Sequence, residues 1–347
     1  MRKTRIITAM ATALAVAAPL VGNPGTAHAA VPGIAKDYSR IMYRSLTVDA
    51  TKAALRRTLA DQKVALKTRT AEVTAATRTD ATARKRLADV TTAHAAVHER
   101  LKTAERGLTD TKNKLARAKK QRPRSKNAVT RATKAVTTAT TNRDARRKRL
   151  HEAATVLRAA QAQGRTAATG LRKATAAREA AAAAIPRTEQ RIATAGTAAG
   201  YAAQAATLSA TVVNEVRPKF TVTDTTSVYG VTVHRNVAYA FKRMVDDARA
   251  DGISISGGGF RTKARQIELR KINGCPDVWT APSSSCRVPT AIPGRSLHEL
   301  GLAVDVTSDG KTLTRKSKAF TWLSANAAKY GYVNLPSEAW HWSITGG

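Results

Sequence analysis

Between residues 51 and 200 the chain has no aromatic residue. All four Trp, all four Phe and five of the seven Tyr lie beyond residue 200. Aromatic side chains dominate core burial. Their absence over 150 residues excludes an ordinary globular core there, and with it a single uniform domain. Acidic residues are also scarce: 24 Asp+Glu stand against 59 Lys+Arg, a net charge of +35. The imbalance is local, since residues 51–200 carry 35 basic and 11 acidic side chains while residues 201–347 carry 18 and 11. With two cysteines, Cys275 and Cys286, a disulfide-dense scaffold and a Cys-rich metal module are excluded. Only one long apolar run exists, Ile7–Val21, and it is short of the roughly 20 residues that span a bilayer.

That run follows Arg2, Lys3 and Arg5 and precedes Asn23-Pro24-Gly25 and Ala27-His28-Ala29. A basic stretch, an apolar stretch and a small-residue cleavage site read as a secretory signal peptide over 1–29, cut after Ala29. The protein is therefore expected to be secreted, with no transmembrane helix left after cleavage. Export permits a disulfide, and the Pro/Ser-rich setting of Cys275 and Cys286 reads as one short pinned loop. Zinc ligation by this pair is disfavoured, because the spacing is not CxxC and no His accompanies it.

After a linker at 30–50, residues 51–205 carry a coiled-coil pattern. Leu59, Leu66, Val73, Asp80, Leu87, His94, Leu101, Leu108 and Leu115 recur every seventh position, with Val90, Val97 and Ala104 interleaved. Gln121-Arg122-Pro123-Arg124-Ser125 interrupts it, where Pro ends one helix and Ser can cap the next. A second register runs Val129, Val136, Arg143, Leu150, Leu157, Gly164, Leu171, Arg178, Ile185 and Ile192. The spacing predicts a long antiparallel helical hairpin, turning near 121–125 and broken at Pro186. Its basic surface suits a polyanion. For an exported protein that means anionic wall polymers or membrane headgroups; nucleic acid is disfavoured by export and by the missing stacking platforms.

Residues 215–347 read differently. β-branched stretches at 220–223 and 231–233 lead to helices over 237–250 and 263–272, the second capped by Thr262. Strands are expected at 253–255, 301–307 and 339–344, and a helix at 317–330. This irregular order predicts a small α+β domain, so the fold class of the chain is α+β. Of seven His, only His234, His298 and His341 lie in this part. Two His and a carboxylate make a three-ligand zinc set with an open fourth position, and a second carboxylate near His341 could serve as a base.

Ser296, His298, Gly301, Ala303 and Asp305, followed by Glu338, Trp340 and His341, form Ser-x-His-x-x-Gly-x-Ala-x-Asp and Glu-x-Trp-His. These motifs resemble the VanY-type zinc D,D-carboxypeptidases, which act on peptidoglycan. Upstream, Gly258-Gly259-Phe260-Arg261-Thr262 with Gln266 is similar to the family's Ser-Gly-Tyr-Arg-Ser segment and its Gln; Phe replaces Tyr and Thr replaces Ser. Ala339 stands where the family usually has Pro. The resemblance covers about residues 215–347 and says nothing of the hairpin.

What it implies is one zinc ion held by His298, Asp305 and His341, with Glu338 as general base. Arg261 would bind the substrate carboxylate or carbonyl and stabilise the oxyanion, with Ser296, Gln266 and Trp340 in substrate binding. The expected function is hydrolysis of peptidoglycan stem peptides as a D-alanyl-D-alanine carboxypeptidase, held at the cell wall by the basic hairpin. Two other readings stand beside it: an endopeptidase on the same polymer, and a non-catalytic wall-binding scaffold. Because Glu338 and His341 are three apart, an ideal strand would turn them to opposite faces. Glu338 is therefore expected in a turn after Pro336, with His341 in the strand. Glu299 is expected to point away from His298, into solvent or a structural role, and His234 to cap a helix or lie at the surface.

Overall fold

The structure is a computed structural model, and it describes residues 33–347; the expected signal peptide lies outside them. No helix among the described residues is long and apolar enough to cross a membrane. The chain divides into two compact units, one of Thr47–Ala198 and one of residues 33–46 with Ala199–Gly347.

The first unit is built from most of α1 (Gly33–Lys120) and α2 (Lys126–Thr194), packed antiparallel. Lys63 Nζ lies 3.3 Å from a Glu189 carboxylate oxygen, and Leu87 Cδ2 lies 3.9 Å from where a Cβ on Gly164 would stand, which fixes the register. All nine heptad positions from Leu59 to Leu115 are buried or half-buried, as are nine of the ten on α2; Arg178 alone is exposed. Threonines, poor helix formers in isolation, turn their hydroxyls onto the helix, as Thr77 does to the Val73 carbonyl at 2.8 Å. Ser125 caps α2 by accepting from the Ala128 N–H. Pro186 does not break α2, contrary to expectation. Ile185 and Thr188 on either side keep their places in the seam, and Arg187 Nε donates to the Ala183 carbonyl one turn back, so packing carries the helix across the lost N–H.

The second unit is α+β. Helix α3 (Ala198–Val216) leads to a hairpin of β1 (Thr225–Val228) and β2 (Val231–His234), then α4 (Arg235–Ala250). β3 (Ser256–Gly258) and α5 (Lys263–Ile272) precede a long loop. β4 (Ala303–Ser308), β5 (Lys311–Thr312), α6 (Lys318–Asn326), β6 (Val333–Asn334) and β7 (His341–Ser343) complete it. The larger sheet is antiparallel in the order β3-β4-β7-β6, with β5 on β4. Thus β4 lies between β3 and β7, and its buried Ala303, Val304 and Val306 anchor it in the core.

Residues 33–50, expected as a linker, are helical, and the first of them complete this core. Ala35, Tyr38 and Met42 are almost fully buried in the same cluster as Phe241, Met244, Tyr330 and Tyr332. Their spacing of three and four puts them on one helix face. Tyr38 Oη donates to the Gly331 carbonyl at 3.4 Å. Residues 199–205 likewise belong here rather than to the helical hairpin, with Ala205 fully buried. Tyr38→Ala is expected to cost about 3–5 kcal/mol, as for other large aromatic truncations in a core. Chemical denaturation of the full chain, followed by near-ultraviolet signals from the tryptophans, all of which lie in this unit, tests it.

Candidate metal centre and substrate cleft

Asp305 lies in β4 and pairs across the ladder with His341, the first residue of β7. His298 comes from a single 3-10 turn, His298–Leu300, just before β4. Gly301 ends that turn in the left-handed conformation at φ 66°. A Cβ there would come within 2.6 Å of the His234 backbone nitrogen, which donates to the Gly301 carbonyl at 2.8 Å. Gly301 is therefore required twice over, by dihedral and by close approach. Gly259 is wedged in the same way against the Thr232 carbonyl. Its own carbonyl faces His298 Nδ1 at 2.8 Å.

That contact fixes the imidazole. A carbonyl oxygen only accepts, so Nδ1 carries the proton and Nε2 presents a lone pair. Nε2 lies 3.1 Å from Asp305 Oδ1 and 3.2 Å from His341 Nδ1, which are 3.0 Å from each other. Burial works to raise the Asp305 carboxyl, but the two adjacent imidazoles outweigh it and hold the group well below the usual carboxylate range. A carboxylate and an imidazole lone pair converging at this spacing call for a cation between them. Tetrahedral bonds of about 2.0–2.1 Å would place donor atoms about 3.3 Å apart, close to the triangle observed. The three residues fit one small divalent metal.

The triangle opens on a cleft of about 480 Å³, lined also by Arg261, Ser296, Glu338 and Trp340. The Glu338 N–H donates to the Leu335 carbonyl, and the Glu338 carbonyl accepts from the His341 N–H. Glu338 thus lies in a turn and His341 begins the strand, which resolves their three-residue spacing. Burial pushes the Glu338 carboxyl upward, opposed by His341, while Asp305 adds to the rise. Asn334 Nδ2 donates to the carbonyls of both Glu338 and His341, at 2.9 and 3.0 Å. No motif pointed to this clamp.

Arg261 Nη2 donates to Ser296 Oγ at 3.4 Å, and Nη1 is 3.9 Å from Asp305 Oδ2. Burial lowers the Arg261 pKa, and the nearby Asp305 and Glu299 charges oppose that. Ser296 Oγ also accepts from the His298 N–H at 3.3 Å. Gln266 is not on the cleft surface. It is fully buried, and its Nε2 donates to the Ala291 carbonyl in the loop that forms part of the cleft wall. Trp340 is half-buried on the cleft, whereas Trp342 is core. Of its two expected roles, Glu299 has the structural one. It is buried in the 3-10 turn and accepts from the Gly294 and Ser296 N–H groups. His234 caps α4, its Nδ1 accepting from the Asn236 N–H. Cys275 and Cys286 are disulfide-bonded.

The family model described as VanY, D-alanyl-D-alanine carboxypeptidase, matches residues 230–346, the segment that holds every one of these residues. Residues 230–346 are a VanY-family domain. A D-alanyl-D-alanine carboxypeptidase from Enterococcus faecalis (strain ATCC 700802 / V583) is 31% identical over 124 residues. The match takes in 30% of this chain and 44% of the relative, so the chain spans less than half of that protein's length. Among solved structures, the chain is similar to a mutant of the vancomycin resistance D,D-pentapeptidase VanY in complex with Zn(II). Identity there is 25% and the TM-score 0.28, over 35% of this chain and 78% of that one. The family match begins at residue 230, beyond the whole of the helical hairpin.

Proposed function

We propose that the protein is a secreted, zinc-dependent D-alanyl-D-alanine carboxypeptidase acting on peptidoglycan stem peptides. The observation that carries the reading is the convergence of His298 Nε2, Asp305 Oδ1 and His341 Nδ1 at the mouth of a cleft that also holds a carboxyl and a guanidinium. A zinc ion bound there supplies Lewis acidity toward a carbonyl and lowers the pKa of water. Glu338 takes a proton from the attacking water and returns it to the leaving amine. Arg261 binds the substrate's terminal carboxylate or scissile carbonyl, a charge-assisted contact that Ser296 orients. Trp340 offers an apolar wall to the substrate. Gln266 acts through the Ala291 loop rather than by contact. The Cys275–Cys286 disulfide supports export to an oxidising compartment.

Full-length protein incubated with a stem pentapeptide is expected to release D-alanine. Chelator should abolish the release and added zinc restore it, with products followed by mass spectrometry. An internal cut in the peptide or in a cross-link would assign an endopeptidase instead. An intact peptide with metal-loaded protein would remove the enzymatic reading and leave a scaffold.

A further inference from the structure

From residue 111 to residue 143 the chain carries eleven Lys and Arg and no acidic residue, between Asp110 and Asp144. The hairpin turn folds both halves of this stretch to one end. Ten of the eleven, from Lys112 to Lys134, are exposed, and among the described residues none of those ten makes an ion pair; Arg143 pairs with Asp144 at 2.8 Å. Helix stability does not account for them. Arg117, Lys119 and Lys120 suit the C-terminal end of α1, but α2 opens with Lys126 and has no acid in its first turn, against the helix dipole. Just behind the turn a groove of about 890 Å³ runs between the arms. Its lining includes the small residues Ala104, Gly107 and Ala139 together with Arg131, Lys134 and Arg146. Its one carboxylate, Glu99, is taken up by Lys102 at 2.9 Å.

We propose that the hairpin tip is a binding site for a flexible, base-free phosphodiester polymer of the poly(glycerol phosphate) kind. Phosphates pair with the exposed cations, and the narrow carbon chain fits a groove lined in part by small side chains. The tip has no aromatic group on which bases could stack and no exposed large apolar side chain to enter a bilayer. Choosing a wall-type polymer over duplex nucleic acid rests on the extracellular function proposed above; the charge and groove alone specify a polyanion.

The test uses the full chain and three proteins: wild type, a tip variant (Lys119→Gln, Lys120→Gln, Arg122→Gln, Arg124→Gln, Lys126→Gln), and a control (Arg56→Gln, Arg57→Gln, Lys67→Gln, Arg172→Gln, Lys173→Gln) with the same change in net charge. Binding to poly(glycerol phosphate), phosphatidylserine vesicles and a short DNA duplex is titrated at two salt concentrations, with helicity checked by circular dichroism. The expected result is salt-sensitive binding of poly(glycerol phosphate), weakened at least tenfold in the tip variant and less than threefold in the control. Hydrolysis of a soluble stem peptide, measured separately, should be unchanged in both variants, so failure of the binding site and failure of the peptidase reading give different results. Equal losses in tip and control would overturn the site, and tighter binding to vesicles or DNA would overturn the polymer.

Discussion

Replacing Glu338 with Gln is expected to lower kcat for D-alanine release by about 10²–10⁴-fold, the range that positioned acid–base groups supply. Gln keeps the size of the side chain and its place in the turn, which backbone contacts to Leu335, His341 and Asn334 maintain. It removes only the ability to accept and return a proton. Because Glu338 is not among the three converging donors, metal content should stay at the wild-type level. The pH profile gives an independent readout. Burial raises the Glu338 carboxyl, and a base works only when ionised, so wild-type kcat/KM should fall as pH drops through a value above the ordinary carboxylate range. The residual activity of the Gln variant should lack that acid limb. Activity within a few-fold of wild type, or parallel loss of metal, would show that Glu338 is not the base.

The site was legible because its chemistry is tied to local spacing. His298, Gly301 and Asp305 come from one turn and the strand after it, so a ten-residue motif holds two of the three converging donors and the glycine between them. His341 is far in sequence but directly opposite Asp305 in the ladder. The hairpin was legible for a related reason: heptads report a face, and the predicted face is the seam. What escaped depended on contacts distant in sequence. Tyr38 falls in the expected linker although Ala35, Tyr38 and Met42 show helical spacing, since nothing local says that the core they join begins near residue 199. The motif leads one to expect Gln266 at the substrate, whereas it holds the Ala291 loop that lines the cleft, because a motif gives residue types and not what each touches. Of the two roles open to Glu299, solvent-facing or structural, the structural one holds, and its contacts are local: it accepts from N–H groups three and five residues back.

Arg270 is the second residue whose removal should have a large effect, and here the effect is on the cleft wall. It lies one turn after Gln266 on α5 and is fully buried. Among the described residues no ion pair includes it. Its Nη1 donates to the Thr290 carbonyl at 2.6 Å, and its Nη2 donates to the Asp277 and Ala281 carbonyls at 2.7 and 2.6 Å. One guanidinium thus gathers three points of the loop that carries the disulfide, and Ser283, Val288, Thr290 and Ala291 of this region face the substrate cleft. Arg270→Met fills similar space but leaves the carbonyls without their donor. At about 1–3 kcal/mol for a buried unsatisfied group, and less for those that reach water, the loss is on the order of 3 kcal/mol. Arg270→Lys keeps the charge but not the fork that spans separate acceptors, so it should fall between the two. The expected signature is faster proteolysis within 277–290 and a raised KM with a smaller change in kcat, since Glu338 and the three converging donors stand on other segments. A merely global destabilisation would instead lower Tm while leaving KM of the folded fraction unchanged. Wild-type KM and loop protection in the Met variant would show that the disulfide alone holds the wall.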